Sequence, residues 1–130
     1  MSGDEARVLQ LVNQQRAAAG CHALTSNSIL VSVARAHSKD MAVNHYFDHN
    51  SQDGRTPFDR MRSAGYHGNL MGENIAAGQP TPAAVMDAWM HSPGHRANIL
   101  NCGYKVIGVG VYRLAGSPFG VYWTQDFGDR

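Results

Sequence analysis

The sequence predicts an α+β fold, a small antiparallel sheet with helices packed on it. Three observations lead there. Amphipathic segments of helical period fill the first part of the chain, Thr-Pro helix starts punctuate the middle, and alternating apolar segments joined by a Gly-Ser-Pro turn close it. A chain of 130 residues that is 43% hydrophobic and 16% charged forms a single domain, residues 1–130, with room for a real core.

Each element has a local cause. Asp4 can cap a first helix running to about Ala19, with Val8, Leu11, Val12 and Gln15 on one face and Gly20 as its stop. Ser26 can cap a second helix to about Asn44, whose apolar stripe is Leu30, Val33, Ala34, His37 and Met41. Thr56-Pro57 places a cap before a proline at the first helical position and opens a short helix to about Ala64. Thr81-Pro82 repeats the device, with Val85, Met86, Trp89 and Met90 as the buried face. Pro93 would clash with the carbonyl of Trp89, so that helix ends near His91. Strands are expected at 69–77, 104–113 and 119–127. In the second of these, Val109, Val111 and Arg113 face one way and Gly108, Gly110 and Tyr112 the other.

Composition excludes several functions. A net charge of +1 provides no basic patch for nucleic acid. No apolar run approaches the roughly 18–20 residues that span a bilayer. Met1-Ser2-Gly3 leads straight into a helical segment, so no signal peptide is expected in this sequence, and an exported form would carry its leader ahead of it. Cys21 and Cys102 belong to no CxxC or Cys/His zinc pattern. Two buried free thiols are one reading. Each cysteine lies just outside a predicted element, which favours a disulfide tying the early chain to the late strands. It would close a loop of about 80 residues, contribute about 4–5 kcal/mol in the chain-entropy model, and imply an oxidising compartment.

The chemistry concentrates in breaker-rich segments: Asp48-His49, Gly72-Glu73-Asn74, and Trp89 through Leu100 with His91, Ser92 and His95. Imidazole and carboxylate together suit a divalent metal or proton transfer near neutral pH. His37 lies on an apolar helix face and reads as core. His22 and His67 sit beside turn signals and should be exposed, and His45 ends a helix where a cation meets the dipole. His49 and His95 lie in turns and stand out. The chain has two glutamates. Glu5 suits the first turn of a helix, which leaves Glu73, reached by a tight turn at Gly72, for any chemistry. Its structural alternative is anchoring nearby backbone amides. His91 and His95 imitate a helical HxxxH metal pair, but Pro93-Gly94 interrupts it and the glutamate of HExxH is missing. No Gly-x-Ser-x-Gly elbow, Cys/His pair or phosphate-binding glycine loop occurs.

The ordered set Asp48-His49, Gly72-Glu73-Asn74, Trp89 with Ser92-Pro93-Gly94-His95-Arg96, Ile107-Gly108-Val109-Gly110 and Tyr122-Trp123-Thr124-Gln125 resembles the CAP superfamily (SCP/TAPS) in its bacterial form. This is the group of cysteine-rich secretory, antigen 5 and pathogenesis-related 1 proteins. The resemblance covers about Arg7 to Gly128 and implies a three-layer α-β-α sandwich with a central antiparallel sheet and a cleft. The family's cleft histidines and first glutamate match His49, His95 and Glu73. Its second acid would fall at His91-Ser92, where no carboxylate stands. The resemblance further implies zinc or another divalent ion on His49 and His95, with Glu73 and His91 as further ligands to consider and Asn74, Ser92 and Gln125 as cleft support. A secreted monomer is expected, with a small hydrophobic ligand, a peptide or a cell-wall component as partner. Catalysis by His49, Glu73 and His95 in a metal-dependent hydrolase, and a non-enzymatic lipid- or protein-binding module, are the alternatives.

Overall fold

A computed structural model describes all 130 residues. Its order is α1 (Gly3–Ala18), β1 (Thr25–Ser26), α2 (Ser28–Asn44), α3 (Pro57–Ser63), β2 (Met71–Ala77), α4 (Pro82–Met90), α5 (Pro93–Ile99), β3 (Val106–Arg113) and β4 (Val121–Gly128). The sheet order is β1-β3-β4-β2. Its three long strands are antiparallel, and the two-residue β1 adds a parallel edge to β3. Helices α1, α4 and α5 cover one face, while α2 and α3 cover the other. The expected α-β-α sandwich is therefore present.

The main core lies between α1, α4, α5 and one sheet face. Val8, Val12, Val85, Trp89, Ile99, Ile107, Val109, Trp123 and Phe127 are almost fully buried there. Strand alternation sends the other side chains toward α2, where Leu30, Val33, Met41 and Tyr122 form smaller clusters. The Gly-x-Gly of β3 explains how α2 comes so close. A Cβ at Gly108 would stand 2.0 Å from the carbonyl carbon of Leu30, and one at Gly110 would stand 2.3 Å from the Arg35 amide nitrogen. Backbone meets backbone there. Cys21 and Cys102 are joined in a disulfide with 5.0 Å between their Cα atoms, which removes the free-thiol alternative. No helix is long and apolar enough to cross a membrane.

Several local expectations are corrected. Ser2, not Asp4, caps α1, through a capping box in which Ser2 Oγ accepts from the Glu5 amide and Glu5 accepts from the Ser2 amide. Glu5 is buried, and it also accepts from Arg35 and from the Val111 amide. Asn27 rather than Ser26 caps α2, because Ser26 belongs to β1. Pro93 does end α4, but it also occupies the first turn of α5, so His95 lies on a helix rather than in a turn. Gly72 sits within β2, where a Cβ would stand 2.2 Å from Tyr104 Oη, so it serves close packing rather than a turn.

Gly110→Ala should cost about 2–3 kcal/mol or more, because rigid helix backbone must move to admit the methyl group. Cys102→Ser should cost roughly 2–5 kcal/mol. Urea unfolding of both variants tests these values; a shift of only a few tenths for Gly110→Ala would show that α2 slides without cost.

Candidate functional site

The site forms where β2, the loop after α2 and α5 converge. His45 ends α2 in the left-handed region (φ 56°), and the chain turns outward into Tyr46, Phe47, Asp48 and His49. Two buried side chains hold this loop. His37 Nε2–H donates to the Asp48 carbonyl at 2.8 Å, and Arg60 Nη1 donates to the His49 carbonyl at 2.7 Å. His49 is thus held by its backbone while its imidazole stays half-exposed.

Glu73 is the buried centre of this half. Its side chain is 1% exposed, and Oε1 takes the His49 Nδ1–H at 3.0 Å while Oε2 takes Arg60 Nη2–H at 2.8 Å. Burial opposes its ionisation. The hydrogen bond from His49, with the charges of His37 and Arg60, outweighs burial and holds the carboxyl below its ordinary 4.5. Asp126 lies opposite Glu73 in the β2–β4 register and is fully buried. Burial, and then the charge of Glu73, push its carboxyl well above the ordinary 3.8. Neither Asp126 oxygen has a hydrogen-bond partner, so a carboxyl that ionises less readily is less costly to bury there.

The second half is built on α5. Ser92 occupies its N-cap position but makes no capping bond; its Oγ instead lies 2.9 Å from His95 Nδ1. Asn74 Nδ2 donates to the His95 carbonyl at 3.0 Å and to Gln125 Oε1 at 3.1 Å. Asn98 Nδ2 donates to Asn74 Oδ1 at 2.8 Å and to the Glu73 carbonyl at 3.3 Å. Burial lowers the basicity of His95, and the charge on His49 lowers it further. Neither ring's Nε2 has a protein hydrogen-bond partner. A mostly apolar cavity of about 280 Å³ adjoins His95 and Ser92, walled by Trp89, Ala77 and the exposed rings of Phe47 and Phe119.

The chain matches the sequence profile of the Cysteine-rich secretory protein family, CAP, over residues 9–127. It belongs to the CAP family. Two Bacillus subtilis proteins are similar over nearly all of this CAP domain. YkwD is 46% identical over 127 residues, 98% of this chain and 48% of its own length. The membrane protein YlbC is 35% identical over 123 residues, 95% of this chain and 34% of its own. The chain thus spans about half or less of these relatives. An extracellular SCP-domain protein of Bacillus anthracis superposes with a TM-score of 0.89 at 34% identity, covering 98% of this chain and 41% of that one. An outer surface protein of Borrelia burgdorferi shares the fold, with a TM-score of 0.84 at 24% identity over 98% of this chain and 92% of that one.

Of the residues singled out from sequence, this CAP domain brings Glu73 to His49 and gathers Asn74, Ser92 and Gln125 around His95. His91 is not among them. Its side chain is 78% exposed, its Nδ1 bonds the Asp87 carbonyl, and it lines a groove with Leu11, Gln15 and Arg96. Pro93 separates the two helices, so the four-residue spacing does not bring His91 and His95 to one site. Nowhere do three or more His, Cys, Asp or Glu side chains converge as a metal cage. Sequence reasoning missed Arg60, Asn98 and Asp126. The strand register could have found Asp126, since pairing Asn74 with Gln125 puts it opposite Glu73.

The two acids respond oppositely to pH. The Glu73 contribution to stability is present above its ordinary 4.5 and is lost as pH falls through its lowered folded value. The Asp126 contribution is complete below 3.8 and is lost as pH rises through its raised folded value. Asp126→Asn retains a neutral donor, so its stability relative to wild type should climb with pH. Urea unfolding from about pH 5 to about pH 9 measures this; a pH-independent difference would show that Asp126 carries no extra proton.

Proposed function

We propose that this CAP domain acts outside the cell as a ligand-binding module whose cleft takes a divalent cation, zinc or a similar ion, through Nε2 of His49 and Nε2 of His95. One observation carries the reading. Both histidines commit Nδ1 to a second group, Glu73 in one case and Ser92 in the other, and both leave Nε2 without a protein partner. Metal-ligating imidazoles are typically oriented in this way. Glu73 spends one oxygen on His49 and the other on Arg60, so its role is to orient His49. When bound, the cation would supply Lewis acidity to a coordinated water or carbonyl group. The chain's own residues fix the two rings, hold His95 below its ordinary basicity and present the apolar wall of Trp89, Phe47 and Phe119 beside His95. Two protein ligands make an open site of modest affinity. The disulfide, and relatives described as an extracellular and an outer surface protein, support an extracellular setting.

A second reading has its own observation. Phe47 and Phe119 are 45% and 53% exposed with ring centroids 6.0 Å apart, an apolar lip suited to a lipid chain or an apolar peptide side chain.

Calorimetric zinc titration at about pH 7.5 and about pH 5.5 tests the first reading. Cation binding requires neutral rings, and His95 is held below its ordinary 6.5, so affinity should fall as pH drops past that value. His49→Ala and His95→Ala should each weaken binding strongly, and Ser92→Ala by about tenfold through loss of ring orientation. His22→Ala, His67→Ala and His91→Ala should leave it unchanged. Equal zinc affinity in wild type and in the His49→Ala/His95→Ala double variant would overturn the reading and put apolar-ligand binding first.

A further inference from the structure

Strand β2 is a free edge of the sheet, paired with β4 on one side alone. Its backbone groups alternate in direction, as those of any antiparallel strand do. The Gly78 amide donates to the Val121 carbonyl, so Gly78, Ala76 and Asn74 bond toward β4. Glu73, Ile75 and Ala77 therefore turn both N–H and C=O away from it. A bare strand edge invites another strand, and much of this one is covered. Asn98 Nδ2 donates to the Glu73 carbonyl, and Trp89 Nε1 donates to the Ile75 carbonyl. The next outward position, Ala77, has neither its amide nor its carbonyl covered in this way. It is half-buried and opens onto the apolar cavity of about 280 Å³ beside His95.

What fits there follows from two independent features. The outward N–H and C=O of one extended residue match the backbone of another extended chain, and a hydrocarbon chain can satisfy neither. Residues paired across neighbouring strands project to the same face. Ala77 shares its face with Ile75 and Tyr122, and Phe119 stands edge-on to Tyr122 with Phe47 beside it. A residue that pairs with Ala77 thus sends its side chain toward the two exposed phenylalanine rings. None of the 10 residues lining the cavity is Asp, Glu, Lys or Arg, so a charged side chain would lose its water there without gaining a partner. A volume of about 280 Å³ lies below the usual range for whole ligands and suits one large side chain.

We propose that the open end of β2 captures an extended, uncharged peptide segment by strand addition, the segment pairing with Ala77 and placing one large apolar side chain between Trp89, Phe47 and Phe119. Strand addition rests on the apolar-lip reading given above, not on the cation, and adds the backbone pairing that a lipid chain cannot make.

Amide NMR titration with the blocked peptide acetyl-Ser-Thr-Phe-Thr-Ser-amide, in the presence of a chelator, is the test. Saturable shifts should centre on Ile75, Ala77, Gly78 and Phe119, and exchange of the Ala77 amide hydrogen should slow. Replacing the peptide's phenylalanine by alanine should weaken binding by about tenfold. N-methylation of that phenylalanine keeps the ring, removes the donor to the Ala77 carbonyl, and should also weaken binding by about tenfold. Phe119→Ser should weaken binding with little change in Tm, because the ring is half-exposed. His49 does not line the cavity, so His49→Ala should leave peptide binding unchanged. Absence of saturable shifts would overturn the proposal, as would equal binding of the parent peptide and either its alanine or its N-methyl counterpart. A parallel titration with 1-octanol separates strand addition from the reading beneath it. Octanol shifts at Phe119 without peptide binding would leave the apolar lip standing and remove strand addition, and shifts with neither probe would remove both.

Discussion

Everything at the cleft depends on keeping one carboxylate charged while hiding it from water. A buried, unpaired carboxylate is far too costly to keep, so Glu73 dictates what surrounds it. Arg60 must be brought in from α3 and His49 from the loop after α2, while burial and the adjacent charge of Glu73 push the Asp126 carboxyl well above its ordinary range. The same arginine then fixes the loop through the carbonyls of His49 and Arg55. Helix, loop and sheet edge are thus joined through a single charge, and the position of the exposed imidazole follows from the buried bonds beneath it.

The other histidine is positioned by a short helix held along its length and at its end. Seven residues do not make a stable helix on their own. Along α5, the His95 carbonyl and the Asn98 side chain bind it to Asn74 and Glu73 of β2. At its end, Arg16 is fully buried without an acidic partner and donates to the carbonyls of His22, Ile99, Asn101 and Tyr104. The Cys21–Cys102 bridge lies beside this arginine in the chain and fastens the same junction covalently. Four carbonyls disperse the guanidinium charge without an ion pair, and α5 gains the fixed frame that a ligand site needs.

What was legible from sequence is what local chemistry determines. Thr56-Pro57 and Thr81-Pro82 announce their helices because cap and proline act within one turn, and the alternation of 106–113 announces a strand. Glu73 and the two cleft histidines were legible from motif resemblance and from the scarcity of glutamate. The errors arose where one residue serves two elements or where the partner is remote. Pro93 reads as a stop from α4 and is also a start for α5. Ser26 looks like a cap until pairing with Ile107 in β3 claims it. The strand β1 has only two residues, too few for a periodic signal. Arg60, Asn98 and Asp126 act across the fold, and nothing near them in the chain reveals their partners.

The contact between α2 and the two glycines of β3 also bears on how the molecule comes together in time. The closest backbone approach joins Leu30, Ala34 and Arg35 in the first third of the chain to Gly108 and Gly110 near its end. A long intervening segment must therefore be gathered in before this contact can stabilise anything, and the entropy of that closure comes first. The topology belongs to slow-folding domains with many distant contacts. During synthesis α2 must wait, with its apolar stripe uncovered, until the last quarter of the chain has emerged to receive it.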